Sequence, residues 1–412
     1  MAKNDLISNG VNKINILGVN ISNLRRGQIL EKINGYFVDG KQHQLVTPNP
    51  EIILTAAVRH DEELFYILNK ADMAVPDGIG LKIASWLVGE NLKRVAGSDL
   101  LKDILKLAQM QHRRVAIFNW RGGLSGAQDI KQALAKKYPK LQALALDIER
   151  QTDLPDRLLA LAKEFRPEII FCTLGSPWQE KFIFHNLKKL PTAKIGIGVG
   201  GSFDFLTERV KRAPKIFRVI GLEWLWRLIK QPSRWRRIYN AVIVFPYRFF
   251  LWRFIYPHLY RQNVACLLYK KVGDKYEILL VERADSPGHW QLPQGGIDRQ
   301  DIAVAGQREL SEEINTKKFK FIVAFDKLHQ YEFGGLMSKF MVPAKKASGY
   351  KAQKQGLFIA EFTGEDSDIK LNFWEHRAWR WVEAEKLIEA VHPSRRQAAG
   401  IFMKKFWQTV AH

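Results

Sequence analysis

The stretch "HWQLPQGGIDRQDIAVAGQRELSEEIN", residues 289–315, runs from a short apolar segment through a Gly-Gly turn into a helical pattern carrying Glu309, Glu312 and Glu313. On a helix these positions are related by i, i+3 and i+4, so they share one face. Clustered carboxylates repel unless a cation joins them, and an all-oxygen ligand set suits magnesium or manganese. An acidic helix face is more often just solvated, but the preceding "WQLPQGG" turn and Arg308 favour a site. Immediately upstream, "VACLLYKK" and "YEILLVER" alternate like antiparallel strands joined at "VGDK". Residues 263–412 therefore read as a separate domain that opens on antiparallel strands.

Upstream of that domain the pattern is different. Short apolar runs ("INILGVNI", "QLVTPN", "ADMAVPDG", "RRVAIFNW", "PEIIFCTLG", "AKIGIGVGG") read as strands. They alternate with "DLLKDILKLAQMQ", "AQDIKQALAKKY" and "PDRLLALAKEF", whose apolar residues recur at helical spacing. Such alternation predicts an α/β, Rossmann-like parallel sheet with helices on both faces over residues 1–206. A length of 412 residues agrees with more than one core.

The formal charge of +22 is uneven: residues 1–262 hold 41 basic against 23 acidic side chains, and residues 263–412 hold 23 against 19. Residues 207–261 alone hold thirteen basic residues, two acidic ones and thirteen aromatics. Trp and Tyr favour the headgroup region and basic residues favour anionic lipid, so 207–262 reads as an interfacial appendage touching an anionic membrane surface. Its alternatives are an apolar helix packed on the second domain, or a face that grips nucleic acid. The uncharged run Ile238–Tyr247 is half of the roughly 20 residues that a spanning helix needs. Cys172 and Cys266 are the only cysteines and lie far apart, which argues against a disulfide framework or a zinc site and fits a reducing cytosol. The start, "MAKNDLISNG", lacks the apolar core of a signal peptide.

In the first domain Thr47, Asn49, Asp77, Gln179 and Asp204 each follow a predicted strand, where an α/β sheet gathers its ligand. Taken singly, each reads first as a turn former. Together, "TPNPE", "DGIG" with "RVAGSDLL", "GSPWQEKF" and "GVGGSFDFLTERVKRAPKIFRVIGLEWLWRLIKQPSRWRR" resemble, in order over residues 14–240, the WecG/TagA/CpsF glycosyltransferases (glycosyltransferase family 26). The resemblance implies metal-independent, inverting transfer of an N-acetylmannosamine-type sugar from a UDP donor to a polyprenyl-diphosphate-linked acceptor at the inner membrane face, with no cofactor. It makes Asp77 the base, sets Thr47, Asn49, Arg94 and Gln179 on the sugar or diphosphate, and puts Asp204 near the nucleotide or at a loop anchor. Arg227, Arg234 and Arg237 would stabilise the leaving diphosphate if their segment folds over the site, the bland alternative being a solvated basic face. Thr207-Glu208 stands where the family usually has Ala-Gly, which puts the local loop geometry in question.

The opening stretch resembles the box of the Nudix hydrolases. "RELSEE" matches in full, Asp301 stands where Glu is expected, the loop is one residue short, and Asn315 replaces the final Gly. The resemblance implies a small α+β domain, a mixed sheet sandwiched by helices, with magnesium or manganese on Glu309, Glu312 and Glu313, and with Glu309 and Glu312 catalytic. "WQLPQGGI" and "EHRAWRWVE" are most like the branch that acts on dinucleoside polyphosphates or RNA ends, where Glu375 would assist. Tyr331 and Phe333 are candidates for stacking on a base, with core packing as the alternative. The whole chain is thus expected to be a bifunctional enzyme, cytoplasmic and peripheral on the inner face of the plasma membrane. The competing reading makes the second domain a nucleotide-sensing module that regulates the transferase. A homo-oligomer is compatible with the sequence but not legible in it.

Overall fold

The computed structural model describes residues 12–214, 217, 223–298, 300–332 and 349–410. The chain divides into two compact units, Met1–Arg253 and Phe254–His412.

The first unit is built on a six-stranded sheet. Its strands are β3 (His43–Val46), β4 (Met73–Ala74), β5 (Val115–Trp120), β6 (Ala143–Ile148), β7 (Ile169–Cys172) and β8 (Ile195–Gly198), in spatial order β4-β3-β8-β7-β5-β6. All neighbouring pairs are parallel. Period-two alternation serves two cores at once: Val115, Ile117, Ile169 and Phe171 face one helical layer, while Ala116, Phe118, Ile170 and Cys172 face the other. A fully buried Phe such as Phe118 or Phe171 contributes roughly 1.5–3 kcal/mol. "INILGVNI" stands apart from the parallel sheet, as the antiparallel hairpin β1 (Lys13–Ile16) and β2 (Val19–Ser22). Left-handed Leu17 and Gly18 supply its two-residue turn.

The described part of the basic-aromatic segment from Glu223 to His258 is largely helical. Phe245, Phe249 and Trp252 are buried, while Trp235, Tyr239, Ile243, Tyr247 and Phe250 are all more than half exposed. Their spacing of four, four, four and three residues draws the exposed set into a stripe along one side. A wide π turn at Asn240–Val244 comes just before Pro246, whose missing N–H cannot continue the regular ladder. No described helix is long and apolar enough to cross a membrane.

The second unit has one seven-stranded mixed sheet. Its central path runs β11 (Trp290–Gln291), β10 (Lys275–Arg283), β9 (Tyr260–Val272), β14 (Ala352–Phe362), β13 (Phe319–Glu332); β12 (Gln294–Gly296) also pairs with β9, and β15 (His376–Glu383) with β10. Among the described residues of this unit only β9 and β14 pair in parallel. Val264, Cys266 and Leu268 of β9 pack beneath helix Ile302–Ile314, and Ala265, Leu267 and Tyr269 pack beneath helix Arg396–Val410. Gly306 lets the first of these helices approach the sheet, since a Cβ there would lie 2.5 Å from the Phe358 ring.

Candidate functional sites

The strand order reverses between β3 and β8, and such a switch point opens a crevice beyond the carboxyl ends of the strands. Thr47 lies there, its hydroxyl donating to Gly198 O at 3.1 Å across the two strand ends. Asn49 caps helix Pro50–Ala57, accepting from Ile52 N at 3.0 Å, so its side-chain oxygen serves the helix. Asp77 N donates to Pro48 O at 2.9 Å, which ties the two rim loops together. The glycines of "DGIG" allow this approach: a Cβ on Gly80 would meet Pro50 Cγ at 2.8 Å, and Gly78 has φ +93°. The Asp77 carboxylate is close to Gly97, the first residue of helix Gly97–Met110.

Around Asp77 the charges are paired. Arg212 clasps Asp99 at 2.5 and 2.8 Å, and that bond, with further support from Glu223 and Asp77, raises its already high pKa. Arg94 lies 3.9 Å from Glu223 in helix Glu223–Lys230, whose segment was expected to fold over the rim. Arg237 also reaches the rim, donating from Nε to Glu51 at 2.7 Å, and Arg234 lies close to Gly201 and Asp204. The Arg227 side chain lies outside the described residues.

Gln179 is only 3 % exposed, and both ends of its amide are used: Nε2 donates to Glu180 Oε1 at 2.8 Å, and Oε1 accepts from Gly200 N at 2.9 Å. It props the loop after β8. Burial raises the pKa of the Glu180 carboxyl. Asp204 is a loop anchor too, accepting from Ser125 Oγ at 2.8 Å; burial raises its pKa against the opposing pull of Ser125 and Arg234. Thr207 joins the same network, 2.7 Å from Ser125 Oγ. Glu208, where the related family usually has glycine, adopts a left-handed φ of +64° and pairs with Lys137 at 2.8 Å. The altered residues therefore keep the turn.

In the second unit Glu309, Glu312 and Glu313 lie on helix Ile302–Ile314, where the first two share Arg308 and the third meets Gln294 and His376. Glu309 meets Arg308 at 2.8 Å; Glu312, more than half exposed, meets the same guanidinium at 3.2 Å. Glu313 is buried, accepts from Gln294 N at 3.1 Å and lies 3.0 Å from His376 Nε2. Among the described residues no group of three His, Cys, Asp or Glu side chains converges as it stands on a point that could hold a metal ion. The donor set nevertheless fits a hard divalent cation. Gly295 passes so close to Glu309 that a Cβ would overlap its carboxylate at 1.6 Å, so only glycine leaves this cradle open. Burial, reinforced by Glu313 and Glu312 against Arg308, pushes the Glu309 pKa up to about 7, a repulsion that a cation would relieve.

The two substitutions in the box have local reasons. Asp301 caps the helix by accepting from Ala303 N at 2.8 Å, and Asn315 ends it at φ +50°, a conformation that Asn tolerates nearly as glycine does. Glu375 accepts from Asn372 Nδ2 at 3.3 Å, and Asn372 also donates to Glu312 O at 3.1 Å. Tyr331 donates to Gln353 at 2.7 Å and accepts from Arg395. Phe333 lies outside the described residues.

Sequence reasoning passed over Arg150, Arg212 and Glu180. Arg150 was missed because "LQALALDI", the half-exposed edge strand β6 that ends just before it, was not read as a strand. Glu180 adjoins Gln179 in a motif that was recognised, and its complete burial was the hidden feature.

Fold and sites define the class: an α/β unit with a polar, cationic rim at its switch point, followed by a mixed α+β sandwich with a carboxylate-bearing helix. Residues 14–258 match the glycosyl transferase WecG/TagA/CpsF family and residues 259–405 match the NUDIX domain. The chain belongs to the WecG/TagA/CpsF glycosyltransferase family and carries a NUDIX domain after it. It is 34% identical over 215 residues (51% of this chain, 80% of the relative) to the N-acetylglucosaminyldiphosphoundecaprenol N-acetyl-beta-D-mannosaminyltransferase of Bacillus subtilis. To the protein of that name from Staphylococcus aureus strain MRSA252 it is 31% identical over 245 residues, 57% of this chain and 91% of that one. Among solved structures, a C. elegans Ap4A hydrolase is similar at 21% identity and TM-score 0.27, covering 35% of this chain and 97% of that one. An E. coli dihydroneopterin triphosphate pyrophosphohydrolase is similar at 21% identity and TM-score 0.27, covering 36% and 99%. At such scores neither structure informs the chemistry.

Proposed function

We propose that the first unit transfers an N-acetylmannosamine-type sugar from a UDP donor to a polyprenyl-diphosphate-linked acceptor, with inversion. The observation that carries this reading is the meeting of Thr47, Asp77 and the Arg234–Arg237 segment at the carboxyl rim, in a chain 34% identical to a transferase of that name. Asp77 takes the proton from the acceptor hydroxyl as its oxygen attacks the anomeric carbon. The bond to UDP breaks on the opposite face, and Arg234 and Arg237 stabilise the charge gathering on the diphosphate. Thr47 and Arg94 orient the sugar, while Asn49, Gln179 and Asp204 hold the loops that shape the crevice.

The exposed stripe Trp235, Tyr239, Ile243, Tyr247 and Phe250, with Arg236 and Arg248 beside it, supports peripheral attachment to an anionic membrane, where a lipid-linked acceptor resides. The second unit is proposed to hydrolyse a nucleoside diphosphate-linked substrate of the dinucleoside polyphosphate or RNA-end type. Glu309, Glu312 and Glu313 would hold magnesium or manganese, which would polarise the diphosphate and activate water. The box loop, one residue short and carrying Asp301 and Asn315, motivates a second reading, in which the unit binds a nucleotide without cleaving it and regulates the transferase.

One experiment tests both halves: sugar transfer from UDP-N-acetylmannosamine, and phosphate release from a nucleotide panel with magnesium, for wild type, Asp77→Asn and Glu312→Gln. Transfer lost only in Asp77→Asn, with phosphate release lost only in Glu312→Gln, is expected. Absence of transfer by the wild type refutes the first assignment; phosphate release that survives Glu312→Gln refutes the second.

A further inference from the structure

Arg150 lies just beyond the carboxyl end of β6, and the loops that follow β5, β6 and β7 meet at its guanidinium. The guanidinium carbon is 3.7 Å from the centre of the Trp120 ring, which ends β5. Its Nε donates to Leu174 O, just after β7, at 2.9 Å. Next in the chain, Gly175 has φ +75°, and even a Cβ there would come within 3.6 Å of Arg150 Nη2. The indole is itself held, because Gly122 packs against it so closely that a Cβ would lie 2.7 Å from Cζ2. The side chain is thus pre-set by one stack and one hydrogen bond. Its two terminal nitrogens make no hydrogen bond among the described residues, and no described carboxylate pairs with it.

Arg237 brings a second cation to this rim, and its charge, after burial, lowers the pKa of Arg150. Like charges on one rim repel, and an anion bound at Arg150 would relieve what remains of the repulsion from Arg237, which is itself paired with Glu51. The neighbouring helix N-terminus does not offer an alternative cradle, because Asp147 accepts from Ala127 N at 2.9 Å and Asp129 accepts from Gly126 N at 3.0 Å. From this arrangement we infer that Arg150 binds the diphosphate of the nucleotide-sugar donor, presenting a fixed two-pronged donor held by Trp120 and Leu174. The inference rests on the reading of the first unit as a nucleotide-sugar transferase. A stacked planar guanidinium gives paired hydrogen bonds to phosphate oxygens, which a lysine ammonium cannot reproduce.

The test is UDP binding by calorimetry on the full chain, together with initial rates across donor and acceptor concentrations, for wild type, Arg150→Ala and Arg150→Lys. Loss of charge-assisted hydrogen bonds predicts about 10- to 100-fold weaker UDP binding and a donor KM raised by a similar factor in Arg150→Ala. Acceptor KM stays within about twofold, and Arg150→Lys recovers less than half of the lost binding free energy. UDP affinity and donor KM unchanged in Arg150→Ala, with the wild type active, overturn the role of Arg150 alone. A wild type that neither binds UDP nor transfers sugar overturns the transferase reading and this inference with it.

Discussion

Gly198→Ala isolates the packing that holds the crevice loop. The added Cβ would lie 2.6, 2.7 and 2.8 Å from Nε2, Cδ and Cγ of Gln179, so the whole amide has to move. Gly198 ends β8 and does not have a positive φ, so alanine brings no backbone strain of its own. Moving Gln179 breaks its bonds to Glu180 and Gly200 N, of 2.8 and 2.9 Å, each contributing about 0.5–1.5 kcal/mol. Overpacking a buried site adds about 1–3 kcal/mol, for a total of roughly 2–6 kcal/mol. In a Gln179→Ala background the methyl has room, and the further cost of Gly198→Ala falls below about 1 kcal/mol. Urea unfolding of the four proteins of this cycle, followed by far-UV circular dichroism, measures the difference. An equal cost of Gly198→Ala in both backgrounds, or no cost in either, would refute the reasoning.

The remaining predictions concern charge, backbone and surface. Because the Glu309 pKa is raised from 4.5 to about 7, the metal-free second unit loses stability as pH rises from about 4.5 to about 7, by roughly 3 kcal/mol at most, and the loss levels off above that. Thermal melts across this range should show the slope in wild type, its absence in Glu309→Gln, and recovery on adding magnesium at pH 8; a flat wild-type profile contradicts the buried-carboxylate account. Glu208→Gly should be neutral or stabilising by up to about 1 kcal/mol, since it relieves a left-handed φ and gives up only an exposed ion pair, whereas Glu208→Val should destabilise by about 1–2 kcal/mol. Equal effects of the two substitutions on the melting temperature would remove the backbone explanation. Tyr247→Ser with Phe250→Ser should reduce sedimentation with anionic vesicles severalfold at unchanged circular dichroism, and undiminished binding would discard the stripe as a membrane contact.

Both architectures were legible because their signals are local. Short apolar runs between helices at 3.6-residue spacing marked β3, β4, β5, β7 and β8, and the alternation of Val264 to Tyr269 marked the strand that serves two cores. The half-exposed strand β6 escaped, and with it Arg150, because an edge strand need not show a clean alternation. Motif spacing by itself selected Thr47, Asp77, Asp204 and the three glutamates. Only the folded chain gave them separate roles, with Asn49 a helix cap, Gln179 a buried prop for Gly200, and Asp204 an anchor for Ser125. It likewise set Glu309 and Glu312 on the shared Arg308 guanidinium and turned Glu313 to His376, although their spacing places all three on one helix face. Helical periodicity determines which side of a helix a residue occupies, but where its carboxylate points depends on the backbone and side chains of other elements, such as Gly295 and His376. Those contacts are long-range, and no local pattern records them.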